Sequence, residues 1–194
     1  MMNMTKHYLE EIKRYKPKNE QEKVDQAAII AFIEQNDDVL DRENLVAHLT
    51  SSAIVVNEEM NKVLFIHHNI YNAWGWVGGH NDGDADLIGV AIKEAKEETG
   101  IEDIQPVNEE ILMMDIIHVT NHIKHGQYVG DHLHLNVTYL LKASEDEQLK
   151  HNPSENSDVR WFLIDECLEY VDEERMIPIY QKAFKEIKKI RNRK

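Results

Sequence analysis

The sequence predicts an α/β protein in which a mixed sheet lies between helices and is preceded by a helical extension. Three observations predict it. Apolar residues recur at helical spacing through residues 1 to about 45 and again near the C-terminus. Short β-branched runs and one strictly alternating run occupy much of the remainder. Strands and helices alternate too irregularly for a doubly wound parallel sheet, which favours a mixed sheet flanked by helices.

At 194 residues the chain suits one domain with an extension and can bury a substantial core. We divide it into a helical N-terminal extension, 1–45, and a main domain, 46–194. In the extension, Tyr8, Leu9, Ile12 and Tyr15 share a helical face that Pro17 closes. Asn19 followed three residues later by Glu22 reads as a second helix start. Val24, Ala27, Ala28, Ile30, Ala31 and Phe32 continue it to about Gln35. The extension reads as a packing or dimer-forming addition, so a homodimer is one expectation.

Strand signals begin at His48. Ala53 to Val56 and Lys62 to Ile66 are β-branched runs joined by the polar turn Asn57 to Asn61. Tyr71, Trp74 and Trp76 crowd the approach to a glycine turn. One of them, with Trp74 the candidate, is expected to stack on a nucleobase or sugar, although core packing is an equal expectation. Ile111 to Val119 predicts a long strand and His122 to Gly130 a polar loop. From His132 to Tyr139, period two places Leu133, Leu135, Val137 and Tyr139 on one face and His132, His134, Asn136 and Thr138 on the other. That polar face predicts either a substrate cavity or a solvent-facing strand. Val159 to Leu163 predicts the last core strand and Glu166 to Glu174 a solvated acidic surface. Tyr180, Phe184, Ile187 and Ile190 predict a closing helix whose basic tail suits the negative end of its dipole.

A formal charge of -14 argues against non-specific binding to nucleic acid or membrane, since both are polyanions. Cys167 is the only cysteine, which excludes a disulfide framework and a cysteine-based zinc site. No apolar signal segment precedes the first charged residues and no run approaches membrane-spanning length, so a cytoplasmic location is expected.

The chain is organised around Gly78 to Ile101, GGHNDGDADLIGVAIKEAKEETGI. On a helix, Glu94, Glu97 and Glu98 fall on one arc roughly 100 degrees wide, where their carboxylates can converge on one point. Ile88, Ala91, Ala95 and Thr99 form the neighbouring, sheet-facing stripe, while Lys93 and Lys96 point to water. Three like charges on one arc repel one another, and a divalent cation relieves them; carboxylate oxygens suit magnesium, manganese or calcium. Gly100 is a natural helix stop, and Gly78 and Gly79 let the backbone turn sharply beside a ligand.

This stretch resembles the Nudix box, in which G, five residues, E, seven residues and then R-E-U-x-E-E-x-G-U follow in order, U being aliphatic. Gly79, Glu94, Glu97, Glu98, Gly100 and Ile101 match in register. Ala85 stands where the box has Glu, and Lys93 where it has Arg. In the family those two support the loop by pairing, so both halves of one pair have changed here, and Asp84 or Asp86 is a partial substitute. The N-terminal part of the chain is also similar to that of an uncharacterised bacterial branch of the family, in Tyr15, Lys16, Pro17 and in His48, Leu49, Thr50.

The resemblance implies the Nudix α/β/α sandwich with its mixed sheet. It further implies a pyrophosphohydrolase holding Mg²⁺, or Mn²⁺, on Gly79, Glu94, Glu97 and Glu98, with Glu94, Glu98 and Glu155 as catalytic candidates. Glu155 is the expected base from outside the box, in competition with Glu109, Glu110 and Asp131. Trp74, His80, His132 and His134 are the expected substrate contacts. The implied substrate is a small nucleotide, a nucleoside diphosphate linked to another moiety. Two other readings stand beside this one. In the first, a Nudix-fold module senses a nucleotide without cleaving it, as the Ala85 and Lys93 departures suggest. In the second, His67, His68, His132 and His134 assemble a zinc site of a different hydrolase, which zinc retained through purification would reveal.

Overall fold

A computed structural model describes residues 7–124 and 126–193; the first six residues of the predicted extension lie outside them. The element order is α1 (His7–Arg14), α2 (Glu20–Gln35), β1 (Ala47–Val56), β2 (Lys62–His68), β3 (Ala73–Gly75), β4 (Val77–His80) and α3 (Leu87–Thr99). There follow β5 (Gln105–Pro106), β6 (Met113–Val119), β7 (His122–Lys124), β8 (Gln127–Val129), β9 (His132–Lys142) and β10 (Asn156–Leu163). Two 3-10 turns, Cys167–Tyr170 and Glu174–Met176, lead into α4 (Ile177–Arg191).

Eight strands form one sheet in the order β10-β2-β1-β9-β5, with β3 added to β2, β4 to β1 and β6 to β9. β1 runs parallel to β9 and antiparallel to β2 and β4, so the sheet is mixed. Its two faces bury different side chains, as the two-residue period of a strand requires. On one face Leu49, Ala53 and Val55 of β1 and Leu135, Val137 and Tyr139 of β9 share a core with α1, α2 and α3. On the other, Ile54 and Val56 of β1 and Phe65 of β2 pack with Tyr180, Ala183, Phe184 and Ile187 of α4. Helices therefore cover both faces of a mixed sheet, the predicted α/β/α arrangement.

The helices of the extension share the first core with the sheet through Tyr8, Ile12, Ile29 and Ile33. Asn19 caps α2 by accepting from the Glu22 backbone N–H at 2.8 Å. The inward face of α2 is Glu22, Ile29 and Ile33, whereas Val24 is 64% exposed. The reason lies in Glu22, which is 0% exposed. Its carboxylate accepts from the Tyr15 hydroxyl and the Lys18 N–H, both at 2.7 Å, and pairs with Lys182 of α4 at 3.1 Å. Lys182 also binds Asp115 of β6 at 2.6 Å. This polar knot sets the rotation of α2, and apolar content alone did not reveal it.

Two other segments depart from expectation. The predicted polar loop His122 to Gly130 contains the β7–β8 hairpin, in which Ile123 pairs with Tyr128 while both remain exposed. The hairpin buries no apolar face, which is why no core pattern marks it. The polar face of β9 is buried, not solvent-facing: Thr50 and Ser52 of β1 donate to Asn136 at 2.9 and 2.8 Å, and Asn136 donates to Thr138 at 3.0 Å.

Candidate active site

Helix α3 begins where the Asp86 carboxylate accepts from the Gly89 N–H at 3.1 Å. It ends at Gly100, whose left-handed φ of 75° lets its N–H reach the Lys96 carbonyl at 2.9 Å. Leu87, Ala91 and Ala95 press the helix onto the sheet. That seating fixes Glu94 and Glu98 above β4, while Lys93 and Lys96 face water.

The glycine turn is shaped to receive those carboxylates. Gly78 adopts φ 153°, and a Cβ there would lie 2.6 Å from the Ser52 Cα, so only glycine fits. A Cβ on Gly79 would lie 2.5 Å from Glu94 Oε2. The Gly78 N–H donates to Glu98 Oε2 at 2.9 Å. Glu98 is only 2% exposed, and its pKa is raised well above the carboxylate range by burial, with Glu155, Glu94 and Glu97 adding to the rise against the Gly78 hydrogen bond. Burial, reinforced by Glu97 and Glu155, also lifts the pKa of Glu94 to about 7.

The three helix carboxylates are unequally exposed. The Glu97 side chain is 52% exposed and reaches Lys93 at 3.9 Å, whereas that of Glu94 is 15% exposed. Glu94 and Glu97 both lie near Lys93, whereas Glu98 turns to the Gly78 N–H. The donor set is nonetheless all oxygen, with two carboxylates in a poorly solvated site, and so fits a hard cation such as Mg²⁺ or Mn²⁺.

Outside the box, Glu155 stands in a turn where Asn152 donates to its Oε2 at 3.2 Å and its backbone carbonyl accepts from the Asn69 N–H at 2.9 Å. Its charge acts on both Glu94 and Glu98. The competing acids stand in other loops. Glu109 and Glu110 are exposed between β5 and β6, and Asp131 accepts from the Asn121 N–H at 2.5 Å. Asn156, next to Glu155, donates to the Glu98 carbonyl at 3.1 Å and ties this turn to the end of α3.

The loop before α3 is held by residues that the box pattern does not contain. Asp84 accepts from the Asp86 N–H at 2.9 Å, and Asp86 caps the helix, so both are used locally and neither pairs with Lys93. Arg42 instead grips Asp82 through two hydrogen bonds, one of them Nε to Oδ1 at 2.7 Å, and the Gly83 N–H donates to the Leu40 carbonyl at 3.1 Å. From inside, Ser51 donates to Asn81 at 3.1 Å, and Asn81 to the Asp84 carbonyl at 2.9 Å. Sequence reasoning missed Arg42 and Asp82, because a contact between residues so far apart in the chain leaves no local pattern.

The remaining expected residues fall into separate places. Trp74 is 9% exposed and packs edge-on against Phe162 and His67, with the Arg160 guanidinium 4.9 Å from its ring centroid. His80, His132 and His134 do come together, joined by His48. His67 and His68 are not in that group: His67 contacts Ser157 and Trp74, and His68 lies against Tyr71. Of the four histidines read together from the sequence, His132 and His134 lie in this group, beside His48 and His80, and His67 and His68 do not. Period two in β1 carried the signal for His48, which shares a face with Thr50 and Ser52.

A glycine turn beneath helix carboxylates, on a mixed sheet between helices, defines an α/β/α protein with a loop-helix acidic site. The family model of the NUDIX domain matches residues 47–183, more than half of the chain. The chain belongs to the Nudix family and is an enzyme, a Nudix-type pyrophosphohydrolase. Among solved structures, the fold is similar to the E. coli dihydroneopterin triphosphate pyrophosphohydrolase, with TM-score 0.54 and 13% identity over 69% of this chain and 92% of that one. It is also similar to a C. elegans Ap4A hydrolase in a binary complex, with TM-score 0.51 and 16% identity over 69% of this chain and 93% of that one. At these identities the likeness is one of fold. Comparison with curated proteins gives no match. Among the described residues, no helix is long and apolar enough to cross a membrane.

Proposed function

We propose that the protein hydrolyses the diphosphate linkage of a nucleoside diphosphate joined to another moiety, in the cytoplasm, using Mg²⁺ or Mn²⁺ held by Glu94, Glu97, Glu98 and the Gly79 carbonyl. The observation that carries this reading is the pairing of two poorly solvated carboxylates, Glu94 over Gly79 and Glu98 on the Gly78 N–H, with Glu155 acting on both. When bound, the cation neutralises the diphosphate oxygens that otherwise repel a nucleophile.

The chain's own groups do the rest. The open turn at Gly78 and Gly79 lets the backbone approach the phosphates. A carboxylate, Glu94 or Glu155, takes one proton from water as its oxygen forms a bond to phosphorus and the bridging P–O bond breaks. The bridging oxygen leaves with its electron pair on the second phosphate. Burial and the neighbouring carboxylates raise the pKa of Glu94 in the metal-free chain, and a bound cation would lower it again. The products are a nucleoside monophosphate and a phosphorylated fragment.

The test is a panel of nucleotide sugars, dinucleoside polyphosphates, ADP-ribose, coenzyme A and nucleoside triphosphates, assayed with Mg²⁺ and Mn²⁺ and with products resolved by mass. Glu97→Gln and Glu98→Gln should each lower metal-dependent turnover at least about tenfold, equivalent to roughly 1.4 kcal/mol of transition-state stabilisation. Full activity in both variants would reject the site.

A further inference from the structure

Four histidines meet on the face of the sheet opposite α3. His48 and His134 are register partners across the parallel pair β1–β9, His132 lies two residues before His134, and His80 pairs opposite Thr50, two residues from His48. Adjacent strand residues point to opposite faces. Gly79 turns toward Glu94, so His80 turns away from the acidic site and toward His48 and His134, with ring centroids 5.0 Å from each. His48 lies 5.1 Å from His132 and 5.2 Å from His134, and His132 lies 5.0 Å from His134.

One nitrogen from each ring falls within 4.8 Å of the other three, the only such group of donors among the described residues. A tetrahedral ion with metal–nitrogen bonds of about 2.0–2.1 Å needs donors about 3.3 Å apart. His132 Nε2 and His134 Nε2 already stand 3.2 Å apart.

The outward nitrogens are arranged as they are around a metal. His48 Nδ1 donates to the Asn44 carbonyl and His132 Nδ1 to the Gly130 carbonyl, both at 2.9 Å, which leaves each Nε2 unprotonated, that of His132 facing His134 Nε2. His48 Nε2 is buried and has no hydrogen-bond partner among the described residues. A buried acceptor left in that state is costly, and an ion would satisfy it. The donors are all imidazole nitrogen, with no carboxylate or thiolate in the group. That set suits zinc and its transition-metal neighbours and not magnesium or calcium.

We propose that His48, His80, His132 and His134 form a binding site for one divalent transition ion of the zinc class, distinct from the glutamate site and clamping β1, β4 and β9 together. This role replaces the substrate contact expected of His80, His132 and His134, and it does not depend on the glutamate reading. The clamp would hold β4, the strand that carries Gly78 and Gly79.

The test uses the untagged full-length chain, stripped with chelator and titrated with zinc alone. One equivalent per chain should bind and raise the melting temperature. His48→Asn and His134→Gln should each weaken binding at least about tenfold, whereas Glu97→Gln should retain it. X-ray absorption of the zinc-loaded parent should show a shell of nitrogens near 2.0 Å, a readout that needs no folded variant. Failure of the parent to bind an equivalent of zinc, an oxygen-dominated shell, or undiminished binding by both folded histidine variants would each overturn the site.

Discussion

Gly79 shows how little room the acidic site has. A methyl group there would meet the Glu94 carboxylate at 2.5 Å, and because that carboxylate ends a flexible side chain, it would move and the backbone would not. Gly79→Ala should therefore leave the melting temperature within a few degrees of the parent while lowering metal-dependent turnover about tenfold or more, with the larger effect on kcat. An unchanged kcat in a folded variant would show that Glu94 need not sit against Gly79. His68 makes a different residue-scale prediction. Burial, with help from Lys124 and His67, lowers its pKa from 6.5 to about 4, and its Nδ1 has no hydrogen-bond partner among the described residues. The unfolded chain takes up a proton near pH 6.5 that the folded chain refuses until about pH 4, so stability is full above pH 6.5 and is lost as pH falls through that window. The ceiling on that loss is about 3 kcal/mol. His68→Phe should narrow the gap in melting temperature between pH 7 and pH 4.5; a gap equal to the parent's would remove His68 from the acid response.

At the scale of elements, α2 is held by charge as much as by apolar contact. Glu22, Tyr15 and Lys18 come from the extension, Asp115 from β6 and Lys182 from α4, so three elements meet in one buried network. Removing the cation leaves two buried carboxylates without their counter-charge, a change that typically costs about 3–5 kcal/mol. Lys182→Met should lower stability by that order in denaturant melts, and Glu22→Gln combined with Lys182→Met should recover part of it; a Lys182→Met variant as stable as the parent would show the network to be idle. The same network marks what the sequence could and could not reveal. Asn19 to Glu22 announced the start of α2, and Gly100 the end of α3, because caps are local. The period of β9 placed His132, His134, Asn136 and Thr138 on one face correctly. Whether that face met water, a ligand or protein depended on Thr50 and Ser52 arriving from β1, which no local pattern encodes. The hairpin of β7 and β8 escaped notice for the converse reason: it has local pairing but no buried face.

Across the whole molecule, the segment between α2 and β1 connects the extension to the chemistry. Arg42 and Leu40 lie in it, and they hold Asp82 and Gly83 of the loop that leads from Gly79 to α3. In the family pattern that loop is braced by a Glu–Arg pair within the box, and here those positions are Ala85 and Lys93, with Lys93 lying nearest Glu94 and Glu97. The Arg42–Asp82 fork is a bidentate contact of the kind that fixes geometry well. Its partners are half exposed, so its contribution to global stability is small. Arg42→Ala should accordingly leave the melting temperature nearly unchanged while slowing turnover several-fold, as a looser loop presents Gly79 less accurately. The decisive comparison is a double-mutant cycle. Ala85→Glu with Lys93→Arg, which restores the box pair, should not harm the parent and should return most of the lost turnover to the Arg42→Ala chain. If the restored pair rescues nothing there, the two braces do not substitute for one another. If Arg42→Ala alone has no effect on turnover, the link from extension to loop carries no function.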